Sequence, residues 1–203
     1  MALDPTLLAW LGLVSAALST VGYLPYLRDI VMGRTQPQRA CWLIWSILGS
    51  IAVASQISEG AMASLGFAMV QVGGTILVFA MSIVCGVGRF TRPRDWFVLA
   101  LAAVGLLLWA LTSNAAYALG ITITISLLGG SLTVVKAYQE PQSETLSTWI
   151  TFWIASALAA LAVGAWDAVL LAYPLYLLTL YTAILGAIAL GRMRTRTACI
   201  PAE

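Results

Sequence analysis

Gly22-Tyr23-Leu24-Pro25-Tyr26-Leu27-Arg28-Asp29, running on through Arg34 to Trp45, sets a proline inside an apolar run, then a short basic loop, then a tryptophan-bearing apolar run. A fainter copy stands at a constant offset of 108. Gly22 falls on Gly130, Arg28 on Lys136, Thr35 on Ser143 and Trp45 on Trp153, with no gap, while Pro25 falls on Thr133. Four matches in one ungapped register and one hydropathy context point to an internal duplication.

The runs on either side are apolar throughout. Of the 203 residues 61% are hydrophobic and only 9% charged, and the mean hydropathy is +0.95. A soluble domain of this size has too little interior to hide that much apolar surface, so the composition specifies a membrane protein. About 20 apolar residues cross the hydrocarbon core as helix. Seven such runs are expected, at 6–27, 41–58, 61–86, 96–113, 115–137, 147–165 and 168–190. The periods are helical or all-apolar, without the ten-residue alternation of an outer-membrane barrel. The first run is too long for a removed signal peptide and lacks a basic n-region, so it is expected as a retained helix.

Charge sets the orientation. With the N-terminus outside, Arg28, Arg34 and Arg39 follow span 1, Arg89, Arg92 and Arg94 follow span 3, Lys136 ends span 5, and Arg192, Arg194 and Arg196 follow span 7. All ten bases then lie on the cytoplasmic side, against Asp4, Glu59 and Asp167 on the other, as the positive-inside rule requires. The expected location is the inner (plasma) membrane, N-terminus outside and C-terminus cytoplasmic. The net charge of +2 reflects topology, and no nucleic-acid partner is expected.

Function classes narrow by absence of residue types. There is no histidine, the commonest metal ligand and general acid–base. Cys41, Cys85 and Cys199 form no CxxC pair and are expected as reduced thiols. No metal, no cofactor and no catalytic residue is expected. A retinal photoreceptor needs a lysine inside its last span, but the one lysine, Lys136, ends span 5. An intramembrane enzyme needs a nucleophile with a base, or a metal set, and neither is legible.

Along the chain, Asp4-Pro5 suits a helix start, and Pro25 removes a backbone bond near the end of span 1. Gln71 is an amide at mid-membrane with two readings: interhelical glue, or a contact to a solute. Trp45 likewise reads as a cavity wall or as core, and Trp42 as an interfacial aromatic. Span 4 has no polar residue in its middle and reads as a spacer. That extra crossing restores the orientation of a three-span unit, so two such units would be parallel, related by an axis along the membrane normal. The expected fold is an all-α membrane protein, two parallel three-helix repeats joined by a linker helix (3+1+3). Its parts are a first bundle over 1–88, a linker with span 4 over 89–114, and a second bundle with a short tail over 115–203.

This arrangement, with Gly22-x-x-Pro25 and Arg28, with Pro141 and Glu144, and with tryptophans in spans 2 and 6, resembles the PQ-loop/SWEET superfamily of membrane transporters. Where that family has Pro-Gln, this chain has Pro25-Tyr26 and then Thr133-Val134. Its literal pairs Pro37-Gln38 and Pro141-Gln142 lie in loops. Sugar-transporting SWEETs carry asparagines in spans 3 and 7, whereas here span 3 has Gln71 and span 7 has no asparagine. The resemblance implies an uncoupled facilitator for a small polar solute, sugar favoured, working by rocking two bundles about a central site. The partners are then the bilayer and the solute, with a homo-oligomer possible but not required. Gln71, Ser126, Tyr176 and Thr179 would bond the solute, Trp45 and Trp153 would wall it, and Pro25, Gly130 and Thr133 would hinge. The other reading is a non-transporting sensor, assembly factor or partner subunit with the same fold.

Overall fold

Asp4 and Pro5 open the first helix as expected. In the computed structural model the Thr6 amide donates to Asp4 Oδ1 at 2.8 Å, and Pro5 occupies the first turn, where its missing N–H has no helical partner to lose. The structure describes residues 4–58, 60, 64–85, 93, 96–97, 99–100, 103–104, 107, 111 and 115–198. Among them are six α-helices and no strand: α1 (Pro5–Val31), α2 (Arg39–Ser58), α3 (Leu65–Val84), α4 (Ala115–Gln139), α5 (Leu146–Ala162) and α6 (Ala168–Ala198). A 3-10 turn, Pro141–Ser143, precedes α5. Most of the expected span 96–113, and most of the linker 89–114, lies outside the described residues.

Three stretches, Pro5–Val31, Leu65–Val84 and Leu170–Thr195, are long and apolar enough to cross a membrane. Arg39–Ala54 and Leu146–Ala162 are shorter apolar helices. Residue placement suits hydrocarbon surroundings. On α1 the buried face is Gly12, Ser15, Ser19, Gly22, Tyr23, Tyr26 and Ile30, while Leu7, Trp10, Leu13, Val14, Val21 and Leu24 face outward. Small and polar residues inside, large aliphatics outside, is the pattern of helices packed in lipid. In water so broad an exposed apolar surface would associate.

The helices pack in a closed ring. α3 lies between α1 and α2, α6 lies between α4 and α5, and the two groups meet where α1 packs on α5 and α2 on α4. Two loops cap one end, here the loop end: residues 32–38, where Gly33 takes a positive φ of 69°, and residues 140–145. Arg39, opening α2, donates to the Ser82 carbonyl at 2.7 Å, which brings the end of α3 to the loop end. Lys136 bonds the Gln36 carbonyl and Arg194 bonds the Gln139 carbonyl, so α4 and α6 end there as well. Pro25 does not break α1, which runs unbroken to Val31.

Close approach of α1 and α3 depends on one glycine of an adjacent pair. A Cβ on Gly74 would overlap the Tyr23 ring, whereas one on Gly73 would meet nothing within 4 Å. Gly74→Ala is expected to destabilise by roughly 1–3 kcal/mol, as overpacking does. Gly73→Ala should be neutral or stabilising by up to about 1 kcal/mol, from helix propensity. Thermal unfolding of the purified protein in detergent reads both, and an unchanged Tm for Gly74→Ala would contradict this packing.

Candidate functional site

Inside the ring is a cavity to which every helix contributes. α1 supplies Tyr23, α2 supplies Trp42, Trp45 and Gly49, and α3 supplies Gln71 and Thr75. Ser126 comes from α4, Trp149 and Phe152 from α5, and Tyr173, Leu177, Leu180 and Tyr181 from α6. The empty space is about 390 Å³, of which only about 20 Å³ admits the centre of a water molecule, room for about one or two waters. No charged side chain is among the lining residues.

Hydrogen-bond partners divide the polar lining into two sets. Tyr23 OH donates to Gln71 Oε1 at 2.8 Å and lies 3.0 Å from the Gln71 carbonyl, and Gln71 Nε2 donates to Ser19 Oγ at 3.3 Å. Gln71 thus knits α3 to α1, which is the glue reading of this residue. Next to the lining, Tyr176 OH lies within loose hydrogen-bonding reach of Ser126 and of Trp45. Yet neither Tyr176 OH nor Trp45 Nε1 completes a hydrogen bond, although the two residues are only 7% and 8% exposed. Burying such a donor unsatisfied costs about 1–3 kcal/mol.

Toward the loop end the cavity is floored by rings. Tyr26 packs on Trp42 at 5.1 Å and on Trp149 at 6.0 Å, and Trp42 faces Trp149 at 6.4 Å. Beneath them the two halves are bolted together. Thr35 Oγ1 and Thr145 Oγ1 are 2.7 Å apart, and Thr145 Oγ1 donates to Asp29 Oδ2 at 2.9 Å. Lys136 Nζ pairs with Glu144 Oε1 at 2.7 Å and also donates to the Gln36 carbonyl. The opposite end is open: a cleft of about 610 Å³ runs between the start of α1, with Leu8, Gly12 and Ala16, the turn before α3, with Gly60 and Ser64, and the end of α5 at Ala162.

Of the sequence-derived site residues, Gln71, Ser126 and Trp45 line the cavity, while Tyr176 is buried next to Ser126 and Trp45 and is not among the lining residues. Thr179 and Trp153 do not join them. Thr179 is exposed and turns its hydroxyl back to the Leu175 carbonyl at 2.8 Å. Trp153 is 39% exposed and donates to Thr182 Oγ1 on the outer side of α5 and α6. The physical reason is helix rotation: at about 100° per residue, α6 turns Tyr176, Leu177, Leu180 and Tyr181 inward and Thr179 and Thr182 outward. The wall assigned to Trp153 is made by Trp149 instead. Of the hinge residues, Gly130 is packed against Leu180, and Thr133 is buried with its hydroxyl unbonded. Tyr23, Tyr173 and Tyr181 were not singled out, because a tyrosine in an apolar run has no local signal separating core from cavity. Cys41, buried, and Cys85, exposed, are reduced thiols. Among the described residues no group of His, Cys, Asp or Glu could hold a metal.

The two sets predict different responses to removal of one oxygen. Tyr23→Phe loses the Gln71 bonds and should lower stability by about 0.5–1.5 kcal/mol. Tyr176→Phe removes a hydroxyl that makes no well-formed hydrogen bond, only a loose approach to Ser126 and Trp45, and should melt close to the wild-type Tm. Parallel thermal unfolding tests the pair, and a large loss for Tyr176→Phe would mean that its hydroxyl has a structural partner. Comparison with protein-family models, with curated proteins and with solved structures finds no match.

Proposed function

We propose that this chain is an uncoupled membrane facilitator for a small, neutral, polar solute, a sugar being favoured, that works by alternating access between two three-helix units. The observation that carries the reading is the central cavity, lined by Trp45 and Ser126, where Trp45 Nε1 and the adjacent Tyr176 OH have no well-formed hydrogen bond. Indole N–H is a donor only, and a hydroxyl can donate or accept. A solute hydroxyl would satisfy both, and the rings of Trp42, Trp45 and Trp149 offer flat faces to its C–H side. Polar groups held unsatisfied against the interest of stability are common at functional sites.

Architecture supports the mechanism. We read the ring as two groups, α1–α3–α2 and α4–α6–α5, that meet where α1 packs on α5 and α2 on α4, an arrangement that a pair of parallel repeats would give. α3 ends at the loop end and α4 begins at the opposite end, as a 3+1+3 plan would require. The described bases Arg28, Arg34, Arg39, Lys136, Arg192 and Arg194 belong to helix ends and loops at the loop end, which by the positive-inside rule is cytoplasmic. The conformation is then closed inside and cleft outside. Pro25, Gly130 and Thr133, within the last three turns of α1 and α4, remain the proposed bending points. The cavity's uncharged lining favours a neutral solute and uncoupled movement, since ion-coupled carriers keep an ionisable group in the membrane.

One observation favours the second reading, a non-transporting sensor, assembly factor or partner subunit: the cavity admits almost no water in this conformation. Uptake into proteoliposomes over a panel of sugars and neutral amino acids separates the two. Transport predicts uptake of at least one solute, unaffected by an imposed pH gradient and reduced about ten-fold or more by Tyr176→Phe, the effect of losing one well-placed hydrogen bond to a polar ligand. Pro25→Ala should slow uptake if α1 bends there. Folded protein that takes up nothing would leave the second reading standing.

A further inference from the structure

Among the described residues, Glu144 is the carboxylate bonded to a cavity-lining side chain, Trp149. It sits just before α5 with its side chain 1% exposed, and its two oxygens serve different structures. Oε1 accepts from Lys136 Nζ at 2.7 Å, and that ammonium also bonds the Gln36 carbonyl in the other half of the molecule. Oε2 accepts from Trp149 Nε1 at 3.1 Å, and the Trp149 ring lines the cavity and packs on Trp42 and Tyr181. A single carboxylate therefore ties the cavity wall to the clamp that holds the loop end shut.

We propose that Glu144 is a positioning residue that couples occupancy of the central cavity to opening of the loop end. This rests on the facilitator reading above. A solute entering so small a space must move the ring of Trp149. That motion draws Nε1 from Oε2, the carboxylate turns, and the Lys136 bridge to Gln36 loosens. Water cannot compensate at a side chain this buried, so the loss of one bond is felt at the other. A carboxylate that merely stabilised the start of α5 would hold the helix without this link, and the two roles differ in what they predict.

Cys41 supplies a native reporter. It is fully buried at the start of α2 and donates its thiol to the Gly129 carbonyl of α4 at 2.9 Å, so reagent reaches it when the two halves part. In full-length protein carrying Cys85→Ser and Cys199→Ser, in nanodiscs without solute, the rate of Cys41 labelling by a water-soluble methanethiosulfonate is measured. Trp149→Phe and Lys136→Met should each speed labelling about ten-fold or more, the scale of losing a hydrogen bond to a charged group. The double variant should label no faster than the faster single variant, because both act through Glu144. Glu144→Gln keeps the shape and an acceptor for Trp149 but loses the ion pair, and should match Lys136→Met. Unchanged labelling in Trp149→Phe, or rates that multiply in the double variant, would overturn the proposal. Should Trp149→Phe not fold, Glu144→Gln decides: faster labelling at an unchanged Tm supports coupling, and a lower Tm with unchanged labelling overturns it. No step requires uptake, so failure of the transport reading is seen separately, in the solute panel.

Discussion

A polar group inside a helix bundle surrounded by hydrocarbon has only other protein groups to bond, and most of this structure follows from that constraint. Small residues let the helices approach, and the polar atoms then meet across the contacts. Ser15 donates to the Ala155 carbonyl at 2.7 Å, joining α1 to α5. The Cys41 thiol joins α2 to α4, and Gln71, Tyr23 and Ser19 join α3 to α1. A few buried polar groups lack a well-formed bond, among them the Gln56 amide, the Thr133 and Thr148 hydroxyls, and the neighbouring Trp45 Nε1 and Tyr176 OH, of which Trp45 lines the cavity.

The two ends of the molecule are held by different physics. The loop end concentrates charge and hydroxyls: Asp29, Thr35 and Thr145 in one chain of bonds, Lys136 and Glu144 in another, and Arg194 stacked 4.7 Å over the Tyr138 ring. These are directional contacts between groups far apart in the chain. At the opposite end small and alkyl side chains, among them Leu8, Ala9 and Leu170, line a cleft. Bolted at one end and parted at the other, the two halves suit a molecule that opens at alternate ends, which is the sense of the proposed mechanism.

Much of the fold was legible. Helical spans, their turns and the end that gathers basic residues all follow from hydropathy, from Asp4-Pro5 and Gly33, and from the positions of arginine. The site was legible only in part. Gln71, Ser126, Trp45 and Tyr176 came from looking for polar or aromatic residues at mid-span, and three of them line the cavity. Trp153 was carried over from Trp45 by the offset of 108, and there the sequence register misleads. The first loop takes a glycine turn while the second takes a 3-10 turn, and the side chain that meets Trp42 across the halves is Trp149. Thr179 differs from Tyr176 by three residues, less than one turn, and that rotation decides inside from outside.

By itself, then, the sequence determined a helical chain suited to a membrane, the approximate places of the described helices, and the repeated proline-or-threonine, base and tryptophan unit. Those are local properties, additive along the chain, and hydropathy reads them directly. Which face of each helix turns inward, which buried groups find partners, and that one carboxylate touches both Lys136 and Trp149 were decided only by tertiary structure. They depend on rotation about each helix axis and on contacts between residues far apart in the chain. Those are set by how the small residues let six helices close on one another.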